Sequence, residues 1–215
     1  MSNSVDVFWS FRSPYSYLAT PEMLELGKKY DVEVNLRVVL PLALRNPDIL
    51  FNKSKDSENR VKYILMDWQR RAEMLGLPHK WPSPDPIVMD ISTMAIAEDQ
   101  PYIYRLSYLG VEAQRRGRGV EFAAAVSGLI WGGTANWNEG DIFEKTVTAA
   151  GFDLESMESV CASGDHRAEI EKNHQLLDEA GHWGVPTLVF EGETFFGQDR
   201  IDTLRWRLDQ LGLGK

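Results

Sequence analysis

The segment Val5 to Phe11, VDVFWSF, is a short apolar run that meets Ser13-Pro14 just before a helical pattern reaching Tyr30. Proline is favoured at the first helical position, where its missing N–H would have had no partner. Pro14 therefore reads as the first helical residue and Ser13 as the N-cap. Tyr17, Leu18, Leu24 and Leu26 are available for burial, and Pro21 is expected to kink or restart the helix. Val32 to Val39, VEVNLRVV, alternates as a second strand. Strand, helix and strand in that order most simply form a βαβ unit.

Asn59 to Leu75, NRVKYILMDWQRRAEML, carries apolar residues at helical spacing and is followed by the loop GLPHKWPSPDP. From about Met89 to Leu177 the chain reads as helical throughout, with no strand expected. At the other end, PTLVFEGETFFG holds two short apolar runs around Glu191-Gly192-Glu193, the signature of a hairpin, and DRIDTLRWRLDQL reads as a closing helix. The order is thus βαβ, a helical block, then ββα. One compact unit suits a chain of 215 residues with 43% hydrophobic side chains. The 32 acidic against 23 basic side chains argue against nucleic acid or an anionic membrane surface as the main partner. Cys161 is the only cysteine, so no intramolecular disulfide and no Cys/His metal cluster is available, which fits a reducing compartment. The start lacks a signal-like pattern, and there is no uncharged, continuously apolar run of the ~18 residues that a membrane span needs. A cytoplasmic protein is expected, with no metal site.

Three stretches carry candidate chemistry. Ser13-Pro-Tyr-Ser16 has the layout of a C-x-x-C redox site with hydroxyls at both sulfur positions. Unpaired N–H groups and the dipole at a helix N-terminus stabilise negative charge, so the place that would activate a cysteine can stabilise an external thiolate, with the Ser13 hydroxyl donating to its sulfur. The bland alternative is a plain N-cap serine. In GHWGVPT, the Val185-Pro186 bond is a candidate cis peptide, a geometry that unforced X-Pro bonds adopt only ~5–6% of the time. A trans turn proline is the alternative. In FFGQDRID, Gly197 allows close approach, Gln198 or Asp199 can cap the last helix, and the Asp199 carboxylate can pair with a ligand ammonium. A cap with a surface ion pair is the commoner use. Among the rest, His182 is the only histidine expected near the site, Trp131 to Trp137 is either an aromatic wall or core, and Arg115 to Gly119 reads as a solvated helix end.

Taken in order, Ser-Pro-Tyr-Ser-Tyr-Leu-Ala after a strand, Arg-Asn-Pro before a helix, YILMDWQRRAEMLGLP, GVPT and FFGQDR closely resemble the 2-hydroxychromene-2-carboxylate isomerase family, within the DsbA-like group and akin to kappa-class glutathione transferases. The resemblance runs from Val5 to about Leu208. It implies an α/β, thioredoxin-like fold with a large all-helical insertion, the discontinuous domain comprising residues 1–44 and 178–215 and the insertion residues 45–177. It implies glutathione as cofactor, a small aromatic substrate and a homodimer. By position, Ser13 would hold and activate the thiolate, Val185 beside Pro186 would offer backbone bonds to the cysteinyl part, and Gln198 and Asp199 would hold the γ-glutamyl end. Asn46 matches an asparagine lining the site. Arg60 and Asp67 fall where the family has a lysine and an aspartate, seven residues apart and so on one helix face. Arginine for lysine, and Asn46-Pro47-Asp48-Ile49 where many isomerases read Asn-Pro-Pro-Trp, are departures at the substrate end.

The expected activity is therefore glutathione-dependent isomerisation of the 2-hydroxychromene-2-carboxylate type. A kappa-like transferase or peroxidase would instead consume the thiol, and a non-catalytic thiol-binding module would bind without turnover. A DsbA-like oxidoreductase is excluded, because Ser13 and Ser16 cannot form a disulfide.

Overall fold

The computed structural model describes residues 3–51, 54–90, 93 and 95–215. Strand β1 (Ser4–Trp9), helix α1 (Pro14–Lys29) and strand β2 (Glu33–Val38) form the expected βαβ unit, with β1 and β2 parallel from Ser4 opposite Glu33 to Trp9 opposite Val38. Strands β5 (Thr187–Phe190) and β6 (Glu193–Phe196) complete a four-stranded sheet of order β2-β1-β5-β6, with β5 antiparallel to β1. The hairpin turns through Glu191 and Gly192, both at positive φ, as a tight two-residue turn of this hand requires. Between the two halves lie α2 (Leu42–Arg45), α3 (Pro47–Phe51), α4 (Lys55–Leu75), α5 (Ile103–Arg115), α6 (Gly119–Trp131), α7 (Ile142–Ala149), α8 (Leu154–Ser163) and α9 (His166–Glu179). A short 3-10 turn, Gln198–Arg200, leads into the closing helix α10 (Ile201–Gln210).

Alternation along β1 gives the sheet two covered faces. Val5, Val7 and Trp9 enter the main core with Leu18, Met23 and Leu26 of α1, while Phe8 packs with Val39 and Leu177 in a smaller cluster. The main core is continuous across both segments of the chain: Leu106 and Val126 of the helical block belong to the same cluster as Leu188 and Leu204. Helix α5 approaches β2 through Gly110, where a Cβ would stand 2.8 Å from the Phe11 ring and 3.0 Å from a Val38 methyl. None of the described helices is long and apolar enough to cross a membrane.

Several expectations are corrected. Helix α1 does not restart at Pro21 but runs through it; the Tyr17 carbonyl that an N–H at position 21 would have engaged instead accepts the Thr20 hydroxyl at 2.7 Å. The helical block does contain strand, because Met89–Asp90 (β3) and Ala95–Ile96 (β4) pair antiparallel. Neither Gln198 nor Asp199 caps α10, whose N-cap position is Arg200 and carries no side-chain cap. The Arg115 to Gly119 segment, by contrast, is the helix end and turn that was expected, exposed from Arg115 to Gly117, and its arginines make contacts as well. Arg115 bridges Asp165 and Glu169 at 2.6 Å each, Arg116 holds the buried Glu112, and Arg118 bonds the carbonyls of Ala150 and Gly151.

Candidate functional site

The C-terminal end of β1 and the N-terminus of α1 open onto a cleft of about 1090 Å³. Ser13 caps α1, its hydroxyl oxygen accepting the Ser16 N–H at 3.1 Å, and the same hydroxyl donates to the Val185 carbonyl at 3.3 Å. The Val185-Pro186 peptide is cis. Pro186 leads directly into β5, which lies beside β1, and sheet pairing therefore brings Val185 to face Ser13. Among the described residues the Val185 N–H donates to no group, leaving a backbone donor beside the Ser13 hydroxyl. Gly197, at φ +105°, makes the tight turn after β6; a Cβ there would meet an Asp199 carboxylate oxygen at 2.6 Å.

Of the residues nominated from sequence, Ser13, Arg60, Asp67, Val185, Gln198 and Asp199 all line this cleft. Asn46 does not. It ends the four-residue helix α2 and lines a second recess of about 400 Å³. Arg45 and Trp183 line both spaces and so stand between them. Arg45 is fixed there by Nε to the Leu40 carbonyl at 2.7 Å and Nη2 to the Trp183 carbonyl at 2.8 Å.

The charges of the cleft are arranged unequally. Asp67 accepts from the Tyr15 hydroxyl at 2.8 Å and pairs with Arg70 at 2.6 Å; burial pushes its carboxyl up, but those hydrogen bonds outweigh it and hold it below the ordinary range. Burial and then the Asp67 contact raise the Tyr15 phenol. Asp85 is held by Arg12, and Asp199 by Arg200 at 3.3 Å. Arg45, Arg60 and Arg71 have no carboxylate within ion-pair distance among the described residues. Arg60 bonds the Ile49 carbonyl at 3.0 Å and lies over the Trp183 ring, while Arg71 donates to Gln198 Oε1 at 3.0 Å. Burial holds the Arg45 guanidinium below its ordinary value, with Asp178 offsetting part of that. In a chain of net charge -9, the cleft is thus a local cationic region. It suits an anionic ligand.

The aromatic wall is Trp81 rather than the Trp131 to Trp137 segment. Trp131 and Trp137 are fully buried, and Trp131 stands behind Trp81 with ring centroids 5.4 Å apart. Their indole N–H groups donate to the Phe11 and Pro84 carbonyls, steadying the loops that carry the site. His182 stacks on Phe196 at 3.8 Å and accepts the Gly184 N–H, with its pKa lowered by burial. It supports the Val185 loop from behind. Reading the sequence missed Arg12, Tyr15, Arg45, Arg71, Trp81 and Asp85; the one available signal was the cation Arg12 placed directly before Ser13, after the end of the strand-like run.

Comparison with known proteins agrees with this architecture. The chain is 24% identical over 217 residues to a 2-hydroxychromene-2-carboxylate isomerase of Pseudomonas putida, covering 96% of this chain and 95% of that protein. It is 20% identical to one from Sphingobium xenophagum, over 95% and 97%. Among solved structures, a 2-hydroxychromene-2-carboxylate isomerase superposes with a TM-score of 0.70 at 21% identity, over 97% of this chain and 95% of that one. The cytosolic disulfide reductase DsbM from Pseudomonas aeruginosa, solved with GSH, superposes with a TM-score of 0.58 at 14% identity, over 96% and 99%. Residues 4–209 match the DSBA-like thioredoxin domain, and with the sheet order, the cis Pro186 and the Ser13 N-cap in place, the chain belongs to that family.

Proposed function

We propose that the protein is a cytoplasmic, glutathione-dependent isomerase of the 2-hydroxychromene-2-carboxylate type, interconverting the cyclic hemiketal and trans-o-hydroxybenzylidenepyruvate or a related aromatic catabolite. The observation that carries the reading is the Ser13 hydroxyl at a helix N-terminus, bonded to the Val185 backbone in the wall of a cleft whose unpaired charges are arginines. The isomerases among its relatives, and the relative solved with GSH, support it.

The residues present fit glutathione. The free Val185 N–H suits the cysteinyl backbone, the Asp199 carboxylate suits the ammonium of the γ-glutamyl end, and Gln198, with its carbonyl held by Arg71, turns its amide NH₂ to the carboxylate there. Arg60 suits the glycine carboxylate. When bound, glutathione would supply a thiolate nucleophile for reversible covalent catalysis of rotation about a conjugated double bond. Ser13 donates to the sulfur and, with the α1 N-terminus, favours its ionised form. Arg45 orients the substrate's carboxylate, and the Trp81 wall keeps water from the reacting end.

The test is to follow trans-o-hydroxybenzylidenepyruvate by absorbance with and without glutathione while titrating total free thiol. Turnover that needs glutathione and leaves thiol constant supports the isomerase. Thiol loss equal to substrate loss would make it a transferase. Glutathione binding without turnover would leave only a thiol-binding module.

A further inference from the structure

The three arginines without carboxylate partners gather around Trp183 and Gln198, whereas the fourth cleft arginine, Arg12, stands at Trp81 and its charge is cancelled. Arg12 Nε and Nη2 grip Asp85 Oδ1 and Oδ2 at 3.0 and 2.9 Å. Asp85 also accepts the Trp81 indole N–H at 3.2 Å and the Ile87 amide at 2.9 Å, so four donors saturate one carboxylate. Arg12 Nη2 reaches Met89 Sδ at 3.7 Å, and the guanidinium lies 5.4 Å from the Trp81 ring centroid. Both charged side chains are largely shielded, 16% and 21% exposed. Trp81 is backed in turn by Trp68 and Trp131, at 6.2 and 5.4 Å. The end of the cleft beside Ser13 is therefore a rigid aromatic wall with no net charge, and Arg12 Nη1 is the donor that its partners leave over.

We infer that this wall is the receptor for the second substrate's uncharged ring, and that the Arg12–Asp85 pair sets the preference by keeping the wall neutral while Arg12 Nη1 offers a hydrogen bond to a phenol or carbonyl oxygen on that ring. The substrate lies with its carboxylate toward Arg45 and its ring against Trp81, which excludes rings bearing a second carboxylate. The inference names the substrate class of the cleft described above and, for the reaction, rests on that reading. A pair that only tied the loops together would make no distinction between ring charges.

The experiment is calorimetric titration, without glutathione, of trans-cinnamate and 4-carboxycinnamate, which share one carboxylate and differ in the charge at the ring end. Wild type binds cinnamate at least tenfold more tightly. Asp85→Asn, leaving Arg12 unbalanced, shifts the ratio at least tenfold toward the dicarboxylate; Arg12→Gln, leaving Asp85 unbalanced, shifts it the other way; the double variant, neutral again, returns toward wild type. Shifts of the same sign in both single variants, no shift in either, or a wild type that prefers the dicarboxylate would overturn the inference. Wild type needs no folded variant for its part of the test. A parallel glutathione titration separates the two readings: failure of glutathione to bind while the cinnamate ratios behave as stated removes the proposed cofactor and leaves the receptor, and the converse result removes the receptor alone.

Discussion

The Ser13 hydroxyl and the Val185 carbonyl meet at 3.3 Å although 172 positions separate them in the chain. One side of that contact is a helix N-terminus, the other a backbone turn beside a cis proline. The acceptor holds the hydroxyl in place, and an arriving thiolate would replace it as the stronger acceptor.

Ser13→Ala loses both the cap and the donor. Thermal unfolding should fall by ~2–4 °C, matching a cap worth ~1 kcal/mol in a chain of this size. Glutathione affinity and the ultraviolet thiolate band of the complex should fall with it. An unchanged thiolate band would remove Ser13 from the proposed role.

Ser13→Cys places a thiol in the field of α1 and should give a fast-alkylating group with a pKa below the ordinary ~8.5. Cys161 should stay inert beside it, since burial and the neighbouring Glu112 and Glu158 push its thiol to about 11. The pH dependence of iodoacetamide labelling, with Cys161→Ser as the companion variant, resolves the two. Equal rates at both positions would contradict the helix-field argument.

Arg60→Met keeps bulk against Trp183 and removes the cation. Affinity for glutathione should drop by roughly tenfold to a hundredfold, the worth of a charge-assisted hydrogen bond of ~1.5–3 kcal/mol. The remaining binding should also depend less steeply on salt. Calorimetry at two ionic strengths decides both points.

His174 accepts the Leu40 N–H at 2.9 Å, and burial, with a smaller push from Arg45, lowers its pKa to about 4. Its folded value lies below the unfolded one of ~6.5, so the unfolded chain binds the extra proton between these values. Its contribution is intact above pH 6.5 and declines as pH falls toward 4. Urea unfolding of wild type from pH 7 to 4.5 should therefore lose stability more steeply than that of His174→Gln, which keeps an acceptor and cannot titrate. Parallel curves would contradict the prediction.

Gly110→Ala pushes a methyl into Phe11 and Val38. The expected cost is ~1–3 kcal/mol from overpacking, read as a lower urea midpoint with unchanged slope.

How much of this was legible beforehand depends on how local each signal was. The Ser13 cap, the helix across 59–75, the Glu191-Gly192 turn and the proline at 186 are dictated by neighbours in sequence, and they stand where their residue types put them. The β3–β4 pair has two residues per strand, too few to produce a period. Arg12 and Asp85 are 73 positions apart, and their union depends on where the loop after α4 lies, which no local pattern encodes. Asn46 carried a matching motif, yet it lines the second recess, on the far side of Arg45 and Trp183 from the cleft.

The sheet order β2-β1-β5-β6 has a temporal meaning as well. Synthesis from the N-terminus delivers β1, α1 and β2 early, with Ser13 already at its helix end, but the facing backbone at Val185 and the carboxylate at Asp199 emerge only after the whole helical block. A nascent chain paused before residue 185 carries one side of the cleft and an unpaired edge on β1. The Ser13–Val185 contact is therefore a property of the finished chain, made only once the last hairpin is in place beside β1.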